Sequence, residues 1–179
     1  LVLTLEATDV DEDELTFDAL SSFPSDVTVV MSGDTMTITP AEDFNGDVQI
    51  NVSVTDGEYT DNSVFTLTVT PVNDAPIIED IASQEMDEDT VLDITLSASD
   101  VDDGTGIGDE NDLSFSAISD TAAISVNVIG DTLTITPDAD YYGSGTITVM
   151  VTDMVGSRLT DETSFGVTVN NVNDAPVII

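Results

Sequence analysis

Apolar and polar residues alternate singly along most of this chain. Within Asp47–Asp56, Val48, Ile50, Val52 and Val54 fall on one side, and Gln49, Asn51, Ser53 and Thr55 on the other. Within Phe65–Val69, Phe65, Leu67 and Val69 alternate with threonines. A period of two is that of a β-strand buried on one face. Such runs recur roughly every 8–12 residues, separated by Gly, Asp, Asn and Pro, the spacing of an antiparallel sandwich. No segment keeps a helical period. The Thr-x-Thr spacing of "MTIT", "LTIT" and "TLTVT" could form a flat ice- or sugar-binding face. It is read instead as the wet side of a sheet, where threonine is a good strand former.

The pattern occurs twice. "LVLTLEATDVD" at 1–11 lies over "LDITLSASDVD" at 92–102, offset by 91. "MTITPAEDFNGDVQINVSVTD" at 36–56 lies over "LTITPDADYYGSGTITVMVTD" at 133–153, offset by 97. "FTLTVTPVNDAP" at 65–76 lies over "FGVTVNNVNDAP" at 165–176, offset by 100. The offset grows in two loops while the strands are kept, as in a duplicated domain. The reading is a first repeat at 1–72, a linker at 73–76, a second repeat at 77–172 and the start of another linker at 173–179. Six or seven strands are expected per repeat. The first repeat has no counterpart of 77–91, so its first strand is expected to be missing. Leu1–Val10 reads as a strand already under way, with no basic region and apolar stretch of a signal peptide before it. The chain is therefore taken as a piece of something longer.

Charge changes the picture next. Asp and Glu number 37 in 179 residues against one basic residue, Arg158, for a net charge of -36. That excludes nucleic acid and anionic membranes as partners and points to cations or a saline environment. Cys and His are absent, which excludes disulfides, thiol catalysis and zinc–thiolate sites. No apolar run is long enough for membrane insertion.

The acids gather between strands. "TDVDED" holds Asp9, Asp11, Glu12 and Asp13, and "SDVDD" holds Asp100, Asp102 and Asp103, with Asn111 later in the same loop. "AEDFNG" holds Glu42 and Asp43, and "DADYYG" holds Asp138 and Asp140. Asp56 and Asp153 end equivalent strands, and "MDEDT" holds Asp87, Glu88 and Asp89. Carboxylates crowded in a loop either shift their pKa or are neutralised by a cation. All-oxygen ligands select a hard cation, and six to eight of them suit calcium better than magnesium. Solvated acidic turns are the plain alternative.

At this level of detail the chain resembles cadherins. "LSASDVDDG…NDLSFSA" is similar to the cadherin loop A-T-D-A-D-x-G-x-N-x-x-L-x-Y-S, "VTVNNVNDAP" to V-x-V-x-D-x-N-D-N-x-P, and "VSVTDG" and "VMVTDM" to A-x-D-x-G. The VNDAP form resembles the cadherin-like tandem repeats of large bacterial surface and secreted proteins. The resemblance implies an all-β chain of two tandem Ig-like/cadherin-like Greek-key antiparallel β-sandwiches, with Ca2+ between successive repeats. It implies one complete junction, formed by Glu42, Asp43, Asn73, Asp74, Asp100, Asp102, Asn111 and Asp153. Asp9, Asp11 and Asp56 would face a preceding repeat, and Glu88, Asp138, Asp140, Asn173 and Asp174 a following one. One to three ions per junction are expected, two being favoured. "AEDF" and "DADY" stand where cadherins have D-R-E. Pro76 keeps Ala75 extended, so Asn73 and Asp74 fall on opposite sides of the backbone.

The expected function is a calcium-rigidified structural repeat of a large extracellular adhesin or surface fibre. Its partners would be neighbouring repeats of the same chain and, by self-association, further copies. The alternative is a polysaccharide-binding module or a non-catalytic appendage of a secreted enzyme. Tyr59 and Tyr142 are the candidate stacking rings; Tyr141 aligns with Phe44 and is expected to pack inward. No catalytic residues are assigned, since the usual nucleophile–base pairs need His, Cys or Lys. The sequon Asn51-Val52-Ser53 lies mid-strand and is read as chance, and Arg158 is a candidate partner for Asp161.

Overall fold

The computed structural model describes residues 1–101, 113–154, 157–176 and 178. The chain forms two compact units, Leu1–Val72 and Asn73–Ile179. Among the described residues there is no helix, so none is long and apolar enough to cross a membrane.

Unit 1 contains β1 (Val2–Thr4), β2 (Thr16–Ser21), β3 (Val27–Ser32), β4 (Thr35–Pro40), β5 (Gly46–Thr55) and β6 (Thr60–Val69). They make two three-stranded sheets, ordered β1-β4-β3 and β2-β5-β6, with every pair antiparallel. Unit 2 contains β7 (Ile77–Ile78), β8 (Gln84–Asp87), β9 (Leu92–Thr95), β10 (Ala98–Ser99) and β11 (Leu113–Ser119). It continues with β12 (Ile124–Ile129), β13 (Thr132–Pro137), β14 (Gly143–Asp153) and β15 (Thr160–Asn170). Its sheets are β12-β13-β9, β11-β14-β15-β8 and the short pair β10-β7.

The period-two pattern becomes the core directly. In β4, Met36 and Ile38 are buried between threonines, and in β13 Leu133 and Ile135 occupy the same places. Their β5 and β14 counterparts, Val48, Ile50, Ile147 and Val149, are buried from the facing sheets. Two-residue turns close β3 onto β4 and β12 onto β13, with Gly33 (φ 64) and Gly130 (φ 62) left-handed at the first turn position. That position favours glycine because a Cβ there is strained.

The units differ where the sequences differ. β7 and β8 have no counterpart in unit 1. In unit 2 the leading segment changes sheets: β7 pairs antiparallel with β10, then β8 runs parallel to β15, Val167 opposite Gln84 and Asn170 opposite Asp87. A strand that switches sheets carries no single alternation, so the sequence pattern did not reveal this crossing or the parallel pairing of β8 with β15. Its effect on burial is plain. Phe165, Val167 and Val169 of β15 lie in the core, whereas Phe65, Leu67 and Val69 of β6 stay half-buried.

Phe165→Ala is therefore expected to cost ~3–5 kcal/mol in unit 2, and Phe65→Ala clearly less in unit 1. Hydrogen exchange read residue by residue over a urea series would resolve the two units. Equal losses would mean that the covering strand does not govern these sites.

Candidate metal centre

Three carboxylates converge in unit 2. One ligand oxygen each of Asp89, Asp140 and Asp174 lies within 4.8 Å of the others, all three residues being exposed. They come from separate places in sequence, and local backbone features hold them. Asp89 (φ 60) and Asp140 (φ 58) are both left-handed, a conformation that short polar side chains tolerate better than most. The backbone N–H of Asp140 donates to Asp89 Oδ1 at 3.2 Å. Asp138 opens the turn that presents Asp140: its N–H donates to Ala123 O at 2.8 Å, and its own carbonyl accepts from Tyr141 N at 3.2 Å. Asp174 arrives at the end of β15 through the second VNDAP.

Glu88 anchors that arrival. It is only 3% exposed. Its N–H donates to Asn170 O at 3.0 Å, and its Oε1 accepts the N–H of Val172 at 2.5 Å. Its other oxygen, Oε2, is buried without a hydrogen-bond partner among the described residues. A half-satisfied buried carboxylate is costly, and here it adjoins the converging acids in sequence. Three exposed carboxylates, with an orphaned carboxylate oxygen on the residue before Asp89, fit a hard cation in charge and in donor type.

The remaining candidates are distributed as follows. Glu42 and Asp43 are exposed, and Asp43 has the left-handed backbone of Asp140 (φ 59). The described residues of unit 1 include no counterpart of Glu88 and Asp89 to stand beside it. Asp9 and Asp56 line one depression of about 210 Å³ at an end of unit 1, together with Asp61. Asp9 Oδ1 accepts from Asp11 N at 2.7 Å, closing that loop on itself. Asp56 Oδ1 accepts from Tyr59 N at 2.6 Å and Glu58 N at 2.7 Å. Those two bonds, that of Tyr59 first, hold its carboxyl below the usual carboxylate range. What Asp56 adds to stability is therefore present at neutral pH and lost as the pH falls through its lowered pKa.

In unit 2, Asp153, the counterpart of Asp56, is buried at the end of β14 with its N–H bonded to Leu159 O, and Asp100 is half-buried. Asp102 and Asn111 lie outside the described residues. Asn73 and Asn173 each donate Nδ2 to the next residue's carbonyl, Asp74 O at 3.0 Å and Asp174 O at 3.1 Å. The two VNDAP copies share this local bond but differ in burial: Asn73 is half-buried and Pro76 buried, whereas Asn173 and Pro176 are exposed.

Asp89 was read from the sequence as one of the clustered acids but not as a candidate ligand. It stands in a segment present once, so the repeat could not flag it. Asp161, the candidate partner of Arg158, instead accepts the N–H of Ile78 at 3.0 Å on Oδ2. Tyr141 packs against the core, while Tyr142 is 62% exposed.

Comparison with known proteins follows the same division. The cadherin-like domain family matches residues 2–70, and the bacterial Ig domain family matches residues 73–170. No curated protein sequence matches the chain. Among solved structures it is similar to protocadherin gamma B2 extracellular cadherin domains 1–5, at 22% identity and TM-score 0.58, over 88% of this chain and 34% of that one. It is similar to Drosophila N-cadherin EC1-4 at 18% identity and TM-score 0.62, over 94% of this chain and 44% of that one. It is similar to human protocadherin-24 EC1-2 at 14% identity and TM-score 0.61, over 94% and 88%. The chain thus spans about a third of the protocadherin gamma B2 structure, and at these identities the likeness is one of fold. The chain belongs to the bacterial Ig domain family through residues 73–170, in tandem with a cadherin-like domain at residues 2–70.

Proposed function

We propose that this chain is a calcium-stiffened structural repeat of a large extracellular adhesin or surface fibre, with Ca2+ bound between successive repeats. The observation that carries it is the meeting of Asp89, Asp140 and Asp174, with the buried Oε2 of Glu88, the residue before Asp89, lacking a hydrogen-bond partner among the described residues. Glu88, Asp89, Asp140 and Asp174 would hold the ion at this end of a repeat, with Asn173 beside them. At a complete junction, Glu42, Asp43, Asn73, Asp74, Asp100, Asp102, Asn111 and Asp153 would supply the ligands. Asp9, Asp11 and Asp56 would do the same at the other end of the chain.

The work is mechanical. Crowded carboxylates repel, so a joint without metal swings. A bound dication cancels that repulsion and fixes the backbone on either side of it. Exposed loop acids of this kind make weak sites, in the roughly 10⁻⁴–10⁻³ M range of extracellular calcium modules. Such sites fill only where calcium is abundant, which favours a place outside the cell. Self-association and neighbouring repeats are the partners this reading calls for.

Calorimetric titration of the EDTA-stripped chain should show calcium binding that magnesium at equal ionic strength does not reproduce. Saturating calcium, at ~100 times the dissociation constant, should stabilise the folded state by ~2.7 kcal/mol per site. Asp140→Asn and Asp174→Asn should weaken the unit-2 site tenfold or more, and Asp74→Ala and Asp100→Ala should remove the junction response. A melting curve that responds alike to calcium and magnesium would leave only charge screening and sink the proposal.

Glu88→Gln separates the structural from the metal role. It keeps an oxygen for the Val172 N–H while removing the buried charge. Without calcium the variant should melt no lower than the parent, and with calcium it should gain less. Glu88→Ala should cost ~1–3 kcal/mol even without calcium, because it strands the Val172 N–H. A calcium response unchanged in Glu88→Gln would remove Glu88 from the site.

A further inference from the structure

Asn45 is followed by Gly46, and none of the other asparagines in the chain has a glycine after it. An asparagine so placed has a reaction of its own. The backbone nitrogen of the next residue attacks the side-chain Cγ, ammonia leaves, and a cyclic imide, the succinimide, remains. Water then opens the ring. Opening at one carbonyl gives aspartate with an ordinary backbone. Opening at the other gives isoaspartate, whose main chain runs through the former side chain. The balance is one water taken up and one ammonia released, with no oxidant or reductant. Glycine hinders the attack least, because it has no Cβ.

The surroundings in unit 1 leave this step open. Phe44 packs against the core, and its N–H donates to Ala41 O at 3.4 Å, so the turn before Asn45 is anchored. Asn45 is half-buried, and among the described residues no hydrogen bond holds its side chain. Gly46 is exposed at φ 123, and a Cβ built there would meet nothing within 4 Å. Gly46 stands opposite Val69 on the last rung of the β5–β6 ladder, where opening of the pairing costs least. Unit 2 keeps the glycine, Gly143 (φ 152), but has Tyr142 before it, which carries no amide to react.

We infer that Asn45 is a site of spontaneous deamidation, which converts unit 1 into a form with a further carboxylate in the loop that holds Glu42 and Asp43. The chain supplies both the attacking nitrogen and the amide, so water is the sole co-reactant. The aspartate product adds a negative charge to an already crowded acidic loop. The isoaspartate product adds the same charge and lengthens the backbone just before β5, against the register of Gly46 with Val69. The inference does not depend on calcium.

The test incubates the folded whole chain in neutral and in mildly alkaline buffer, with a urea-unfolded sample alongside. Cleavage after glutamate releases the peptide 43–58, which carries both Asn45 and Asn51. Mass spectrometry with fragmentation that separates aspartate from isoaspartate then reads each site. In the folded chain Asn45 should convert to both products roughly tenfold or more faster than Asn51, a barrier lower by about one factor of ten in rate. The conversion should quicken as the pH rises, since the attacking nitrogen must lose its proton. Anion exchange should show a later-eluting form growing in the parent and not in Asn45→Gln. Conversion of Asn45 in urea but not in the folded chain would overturn the inference, because the fold would then protect the site. Equal rates at Asn45 and Asn51 would overturn it too, since Gly46 would then confer nothing.

Discussion

Glu88 is an acid held out of water, and the geometry of one end of unit 2 depends on it. Its N–H and its Oε1 join the end of β8 to Asn170 and Val172, at the end of β15. The two bonds extend the parallel ladder past its last paired residues, Asn170 and Asp87. They set the point from which VNDAP leaves the sandwich, and so bring Asp174 to Asp89 and Asp140. Burial of a carboxylate is expensive unless both oxygens are compensated. One is satisfied by a backbone N–H and the other by no partner among the described residues. On the proposed reading a cation completes what the fold leaves unfinished.

The distribution of charge over the sheets explains why the acids crowd at loops. Like charges directly opposite on neighbouring strands destabilise a sheet. With one basic residue in the chain, cross-strand ion pairs could not relieve that cost. The exposed faces instead use threonine and serine, which hydrogen-bond across strands without charge repulsion: Thr148 with Ser164 at 2.8 Å, Thr134 to Asp93 at 2.7 Å and Thr68 to Asp47 at 2.6 Å. The repetitive threonine faces thus satisfy an electrostatic constraint without needing a ligand.

The strands were legible because each keeps one period over several residues, and the duplication because its offsets change only in loops. Asp140 and Asp174 could be chosen as candidates from the sequence because both stand in motifs that occur twice. Asp89 could not, for its segment occurs once and its role depends on a left-handed turn meeting a strand some eighty residues away. Glu88 was selected as a ligand, but its burial was invisible: "MDEDT" reads as an acidic loop, and only the parallel pairing of β8 with β15 puts that stretch at the core. The crossing from β7 to β8 was hidden for the same reason, since four residues of Gln-Glu-Met-Asp carry too little alternation to declare a face.

The two repeats act as an internal control on what an apolar residue can achieve by itself. Phe65 and Phe165 have the same identity, the same strand and the same neighbours on β5 and β14, yet Phe165 is 4% exposed and Phe65 half-buried. The difference lies in the leading segment that covers one and not the other. In unit 2 the core is completed by the strand that follows Asn73–Pro76. Asn73–Pro76 belongs to unit 2, Pro76 is itself buried, and two residues on Ile78 is capped by Asp161. The linker that carries the proposed ligands is thus the start of the strand that closes the next core. Ordering Asn73 and Asp74 around an ion would also restrict the entry of Ile77 and Ile78 into their place. In such an array, stiffening the joint and completing the fold beyond it would be thermodynamically coupled.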